Sequence, residues 1–419
     1  MRIFRPVLSA SVVAIGALGA SHSLAQPVNY TLQTLIAIPA TTANVQPGQA
    51  FTSFDIGFFN PASDSYYVAD RSNASVDIIG GTTLKVLGQA QGFTGQQATT
   101  SVSGADGVVA VTTGSTTTLY AGDGNSTLKV FNATNPASPN LLQSISTGGS
   151  FRVDEMAYSP ATQQLLAANN ADSPAFATLF NTASPPVTIF KSNISVPGAA
   201  ASDGMEQPVW DPFTGSFFVS IPSFNGDPAG GVVEIKTDGS IGKTFKFGSM
   251  GIGSCSSAGL ALGASGNLMV GCANANAQAI LLNPAGTGSI VATFAQISKT
   301  DEIWYDPVSH RYFVTGANTA GHRVFDVISD ANNQLLQSVL LPVADASNPH
   351  SIAVDAFTGD VFVPLAGNTA AVGGNTACTL GCVAVYANAV PEPATVSLML
   401  TSLAGMLGWR ARSRAQRRA

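Results

Sequence analysis

Charge is scarce in this 419-residue chain, where only 10% of residues are Asp, Glu, Lys or Arg. Between residues 26 and 390 stand 11 basic residues against 23 acidic ones, a net charge of −12. Such a balance argues against nucleic acid and anionic membrane surfaces as partners of that stretch, because both need basic patches. Histidine is rarer still, at 4 positions (His22, His310, His322 and His350), which argues against a His-rich metal or haem site. Phosphate-loop chemistry is missing too. The glycine-rich Gly226-Asp-Pro-Ala-Gly-Gly231 has no Lys-Ser/Thr to cradle phosphates and reads as a turn. No Gly-x-Ser-x-Gly elbow precedes a helix, so a hydrolase nucleophile of that kind is absent.

Long apolar runs occur only at the two ends. Arg2 and Arg5 open a segment that is apolar from Val7 to Ala20 and closes on the small-residue site Ser23-Leu24-Ala25. This is the order of a secretory signal, residues 1–25, with Gln26 as the first mature residue. A retained N-terminal anchor is the competing reading, and the run is short for a membrane span. At the other end, Val390-Pro391-Glu392-Pro393 precedes an apolar stretch from Ala394 to Trp409, then Arg410, Arg412, Arg414, Arg417 and Arg418. As a helix the stretch reaches about 24 Å, marginal for a hydrocarbon core of about 30 Å. The arginines should remain cytoplasmic, which places the body of the protein across the membrane.

The Pro-Glu-Pro motif, apolar span and arginine tail together resemble the PEP-CTERM sorting signal of Gram-negative bacteria, over residues 390–419. The resemblance implies processing by a membrane enzyme, exosortase. It also implies a precursor tethered to the inner membrane and a mature protein at the envelope surface or outside the cell. An ordinary retained tail anchor gives the same topology.

Only four cysteines are present, as two local pairs. Cys255 and Cys272 flank an apparent hairpin, and Cys378 and Cys382 enclose Thr-Leu-Gly. In an oxidising compartment both pairs read as disulfides. Metal binding by Cys378 and Cys382 is the alternative, although no second Cys or His pair accompanies it.

What the middle of the chain does have is a repeat. Asp154-Glu-Met-Ala-Tyr-Ser-Pro160 leads into Gln164-Leu-Leu-Ala-Ala168, and Glu206-Gln-Pro-Val-Trp-Asp-Pro212 into Ser216-Phe-Phe-Val-Ser220. Asp301-Glu-Ile-Trp-Tyr-Asp-Pro307, His350-Ser-Ile-Ala-Val-Asp355 and Asp55-Ile-Gly-Phe-Phe-Asn-Pro61 begin the same pattern, with weaker copies at Asp106 and Ser257. The starts at 55, 106, 154, 206, 257, 301 and 350 recur about every 50 residues, with four strand-like runs per unit. Four strands in about 50 residues make a propeller blade. The expected fold is therefore all-β: a seven-bladed propeller over residues 26–389, followed by one apolar C-terminal helix. The last unit shows three strands, ending at Tyr386, and the missing fourth stands at residues 30–38. Closing the ring in this way removes exposed sheet edges. A solenoid of stacked sheets is the rival architecture.

In such a ring the residues opening each unit gather at one mouth of the channel: Asp55, Asp106, Asp154, Glu206, Asp301 and His350, with Glu155 and Glu302 one position further. Neighbouring loops add Asp70, Asn73, Asp123, Asn125, Asn169, Asn170, Asp172, Asn225, Asp227, Asn318 and Asn368. Crowded carboxylates either take up protons or recruit a cation, and Ca2+ prefers six to eight oxygens. The candidate ligands are Asp154, Glu155, Glu206, Asp301, Glu302 and His350. The alternative is that these acids only cap turn amides and join blades.

The Asp-Glu and aromatic-Asp-Pro patterns loosely resemble bacterial propellers of the YVTN, NHL and gluconolactonase-like kinds, over residues 51–388. The resemblance to lactonases would make Glu155, Glu206, Glu302 and His350 candidate residues. Glu155, Glu302 and His350 would then be the catalytic candidates of a metal-dependent hydrolase. The leading functional expectation is instead a surface-delivered binding module for an envelope or matrix glycan, peptide or small molecule. A purely architectural matrix protein is a third possibility.

Overall fold

A computed structural model describes residues 28–44, 50–199, 204–274, 278–342, 350–367, 376 and 378–389. The signal at 1–25 and the tail at 390–419, with its expected helix, lie outside the described residues, as does Asn368. No helix among the described residues is long and apolar enough to cross a membrane.

The chain folds as a seven-bladed β-propeller, each blade an antiparallel meander of four strands. Blade 1 runs through Phe54–Asn60, Ser65–Asp70, Ser75–Gly80 and Val86–Gln91, and blades 2 to 6 repeat that order. In blade 6 a two-residue strand, Ile297–Ser298, also pairs with the end of Arg311–Asn318. Blade 7 is composite. Ala353–Val354, Val361–Leu365 and Cys382–Asn388 are completed by Tyr30–Ala37 from the start of the domain.

The closing strand pairs Tyr30 with Asn388 and Ala37 with Cys382, with an irregularity between Leu32 and Thr34. It also grips the preceding blade. The Tyr30 amide donates to Gln337 Oε1 at 2.7 Å, and Gln337 Nε2 donates to the Tyr30 carbonyl at 3.1 Å. The Tyr30 ring meets Phe313 edge-on at 5.5 Å. Thus the two ends of the domain are held by hydrogen bonds and by apolar contact together.

The Asp or Asn that closes these first strands has a structural role. Asp211, Asp306 and Asp355 each end or follow a first strand, and each accepts the amide two residues on: Phe213, Val308 and Phe357, at 2.8, 3.0 and 2.9 Å. Asn60 does the same for Ala62 at 3.0 Å. These side chains mimic a backbone turn and reverse the chain into the second strand.

Alternating residues of facing blades form the core. One cluster joins blades 3 and 4 through Leu166, Leu179, Phe217, Val219 and Ile235. Another seals blade 7 to blade 1 through Ile36, Phe51, Phe59, Tyr66, Phe362 and Val385. Burying each such side chain contributes about 1.5–3 kcal/mol. Near the axis the first strands crowd: a Cβ on Gly107 would stand 1.9 Å from the Asp154 carbonyl oxygen, so glycine alone fits there.

Both cysteine pairs are disulfides. Cys255–Cys272 joins the approach to the first strand of blade 5 to the end of its second. Cys378–Cys382 closes a short loop at the start of the third strand of blade 7.

Candidate functional site

The acids expected at the channel mouth do meet there, although most of them precede the first strand rather than open it. The amides of Asp106, Asp154 and Glu206 donate to the carbonyls of Gly122, Ala168 and Ser220, at 3.1, 2.7 and 3.0 Å. This shared register sets each acid beside the end of its blade's second strand. A cavity of about 520 Å³ opens there, lined by Asp55, Arg152, Asp154, Glu155, Glu206 and Asp301 among others.

Two arginines stand inside the acidic ring. Arg71 Nη2 lies 2.6 Å from Asp55 Oδ2, and Arg71 Nε donates to Asp106 Oδ1 at 2.8 Å. A third contact runs from Nη1 to the Phe54 carbonyl at 3.3 Å. Arg152 Nη2 lies 2.7 Å from Asp154 Oδ2, while its Nε donates to Asn170 Oδ1 at 3.1 Å. His350 stacks on Phe54 at 4.8 Å and sets Nε2 at 3.4 Å from Asp55 Oδ1.

These contacts divide the acids by protonation. Burial opposes ionisation of Asp55, but Arg71 and His350 overcome it and hold the carboxyl below its usual range. Asp106 shares the same guanidinium, and burial pushes its acid up. Burial also lifts Asp154 to about 7 in spite of Arg152. For His350, burial favours the neutral ring, while Asp55 and Asp301 turn the balance and raise it.

Glu302 serves the scaffold. Its Oε2 accepts from Ser351 Oγ and, at 3.2 Å, from the Ile352 amide, and Ser351 Oγ in turn accepts from the Gly57 amide at 2.7 Å. One buried carboxyl thereby links blades 6, 7 and 1, and burial raises its acid well above normal.

A different arrangement holds Glu155, Glu206 and Asp301. One carboxylate oxygen from each lies within 4.8 Å of the others. Glu155 is 3% exposed, and its Oε2 is buried with no hydrogen-bond partner. Burial raises its acid well above the ordinary value, and Glu206, Asp154, Asp301 and Glu302 all push the same way. Asp301 is raised by burial too, with His350 opposing. Three oxygens at this spacing can face one cation, and a Ca2+ ion would leave further positions for water or a ligand oxygen.

Of the six expected metal ligands, the structure brings Glu155, Glu206 and Asp301 together and engages Asp154, Glu302 and His350 elsewhere. Several loop oxygens are likewise engaged. Asp70 accepts from the Asn73 amide, Asp123 from the Thr94 and Gly124 amides, Asp172 from the Ser150 amide, and Asp227 from the Ala229 amide. Asn318 accepts from the Ala320 and His322 amides. The sequence reading missed Arg71 and Arg152. The Arg152-x-Asp154 spacing was the one available signal, since side chains two apart on an extended chain share a side.

No family model matches the chain, and no curated protein does. Solved structures do. A chain of hydrazine synthase from Kuenenia stuttgartiensis superposes with a TM-score of 0.59 at 12% identity, covering 83% of this chain and 99% of its own. A chain of the mitotic checkpoint complex gives 0.57 at 12%, covering 92% and 99%. Raptor from Chaetomium thermophilum gives 0.58 at 11%, covering 86% of this chain and 30% of its own. At such identities the likeness establishes the fold and nothing finer.

Proposed function

We propose that this chain is an exported binding propeller whose channel mouth holds a divalent cation, Ca2+ by preference, between Glu155, Glu206 and Asp301. The observation that carries the reading is Glu155: a buried carboxyl with an unpartnered oxygen, two other carboxylates in reach, and burial and like charges as the strongest influences on it. Arg71 and Arg152 relieve the same crowding at Asp55, Asp106 and Asp154, and the Arg152 charge also reaches Glu206 and Asp301. A cation gives Glu155 the relief that no side chain provides. An all-oxygen donor set suits a hard ion such as Ca2+. Open coordination positions in a 520 Å³ cavity would let the ion present itself to an oxygen-bearing ligand, such as an envelope glycan or an acidic peptide.

Export and delivery rest on the two terminal signals, with an exosortase-type enzyme acting on residues 390–419. The hydrolase alternative gains nothing from the geometry, because its candidate base His350 is packed between Phe54 and Asp55.

The test is metal content by mass spectrometry after purification in calcium, for the wild type and for Glu155→Gln. The reading predicts one ion per chain in the wild type and none in the variant. A metal-free wild type overturns it.

A further inference from the structure

The opposite end of the channel has a different character. Here a cavity of about 680 Å³ is walled by Phe58, Tyr158, Trp210, Trp304 and Tyr305 among other mostly apolar residues. The turns that join first to second strands reach this same end, and their capped positions carry Phe213, Val308 and Phe357. These are the three most exposed large apolar side chains among the described residues, at 68%, 68% and 83%. Lys85 and Asp238 of this end stand in turns between third and fourth strands. Buried Asp330 accepts from Tyr305 and Ser265, Glu155 and Glu302 line the inner wall of the cavity, and Asp64 is the exposed acid of the blade 1 turn.

The chain leaves the propeller at this end as well. Tyr386 pairs with Val361, and Val361 with Val354, so the third strand of blade 7 runs out beside the Phe357 turn. The amide of Ala389, the last described residue, donates to the Asn29 carbonyl at 2.9 Å. Four residues, 390–393, then separate the fold from the apolar run at 394–409. Fully extended they span about 14 Å.

We propose that this end of the propeller is a lipid-facing surface. While the apolar run is in the membrane, Phe213, Val308 and Phe357 enter the interfacial layer of a zwitterionic bilayer. The inference rests on the reading of 394–409 as a membrane segment. Three features agree on the occupant. The short connection brings this end, and not the acidic one, to the bilayer. Aromatic side chains with an apolar body and a polar edge suit the headgroup layer, and half-buried Trp304, Tyr158 and Tyr305 line the cavity at this end, with Trp210 adding its apolar face. Finally, the net charge of −12 over residues 26–390 disfavours anionic lipid and leaves zwitterionic headgroups as the fitting class.

The chain has only 3 tryptophans, and two of them line this cavity, so Trp409→Phe leaves a reporter confined to it. The full chain with that change is reconstituted into phosphatidylcholine vesicles bearing brominated acyl chains, and its tryptophan emission is compared with that in unbrominated vesicles. Quenching is expected. It should persist when a flexible glycine-serine spacer is inserted after Ala389, because the surface then binds lipid by itself. In the spacer-bearing chain it should be lost in Phe213→Ser/Val308→Ser/Phe357→Ser, each substitution weakening the surface's lipid contact by about tenfold. A chain that stays with the vesicles but shows no quenching overturns the proposal. So does quenching that vanishes with the spacer, which would mean proximity alone, or a vesicle-bound dimer in which a second copy covers the surface. A chain that fails to stay with vesicles fails at the earlier step, the membrane reading of 394–409.

Discussion

Arg71 Nε lies 2.8 Å from Asp106 Oδ1, a contact that carries a positive charge from blade 1 into blade 2 beside the channel. The same guanidinium holds Asp55 at 2.6 Å. Arg71→Met should therefore leave two buried carboxyls without their cation and cost about 3–5 kcal/mol. Denaturant midpoints would show it. A loss below about 1 kcal/mol, the range of an exposed ion pair, would mean that the contact is solvated.

The raised acids fix the direction of the pH dependence. Asp154 is lifted by burial to about 7, and Asp77 and Asp326, also by burial, to about 6. Between the ordinary carboxyl range and these values, the folded state holds protons that the unfolded chain has released. Stability must then fall as pH rises through roughly 4 to 7. Asp55 acts in the opposite sense, its contribution being lost only as pH falls below the ordinary carboxyl range. Urea midpoints in chelator should be higher at pH 5 than at pH 7.5. A higher midpoint at pH 7.5 would contradict the burial of these groups.

Ring closure depends on the strand Tyr30–Ala37, whose Ile36 is 6% exposed in the cluster that seals blade 7 to blade 1. Ile36→Ala should cost about 2–5 kcal/mol. Removing residues 26–37 exposes the edge of Cys382–Asn388 and should replace the single unfolding transition by aggregation. Unchanged unfolding of the shortened chain, followed by circular dichroism, would place the closure elsewhere.

The two disulfides should differ in what they contribute. Cys255–Cys272 closes 17 residues and Cys378–Cys382 only 4. On loop-closure entropy the first is worth about 3 kcal/mol and the second about 2. Paired Cys→Ser substitutions measured by thermal unfolding should keep that order.

Much of this fold was legible because a propeller writes its period into the chain. The unit starts, the blade count and the borrowed strand at 30–38 all follow from strand spacing, a local property. The gathering of acids at one mouth followed as well, since it depends only on strand direction. Which acids remain available did not. Asp55 and Asp106 are answered by Arg71, which approaches from a neighbouring second strand, and Glu302 by Ser351 from the next blade. Such pairings depend on blade-to-blade distances that no spacing encodes. The aromatic-Asp-Pro pattern was legible as a repeat but not as a turn cap; in the structure Asp211 and Asp306, like Asp355, cap turns at the opposite end.

Calorimetric titration of Ca2+ into the chelator-treated protein at pH 7, repeated in buffers of different ionisation enthalpy, bears most directly on the channel mouth. One ion should bind per chain, with protons released as Glu155 ionises, and both the ion and the proton release should disappear in Glu155→Gln. Equal binding by wild type and variant, or no binding by either, would contradict a cation held by Glu155, Glu206 and Asp301.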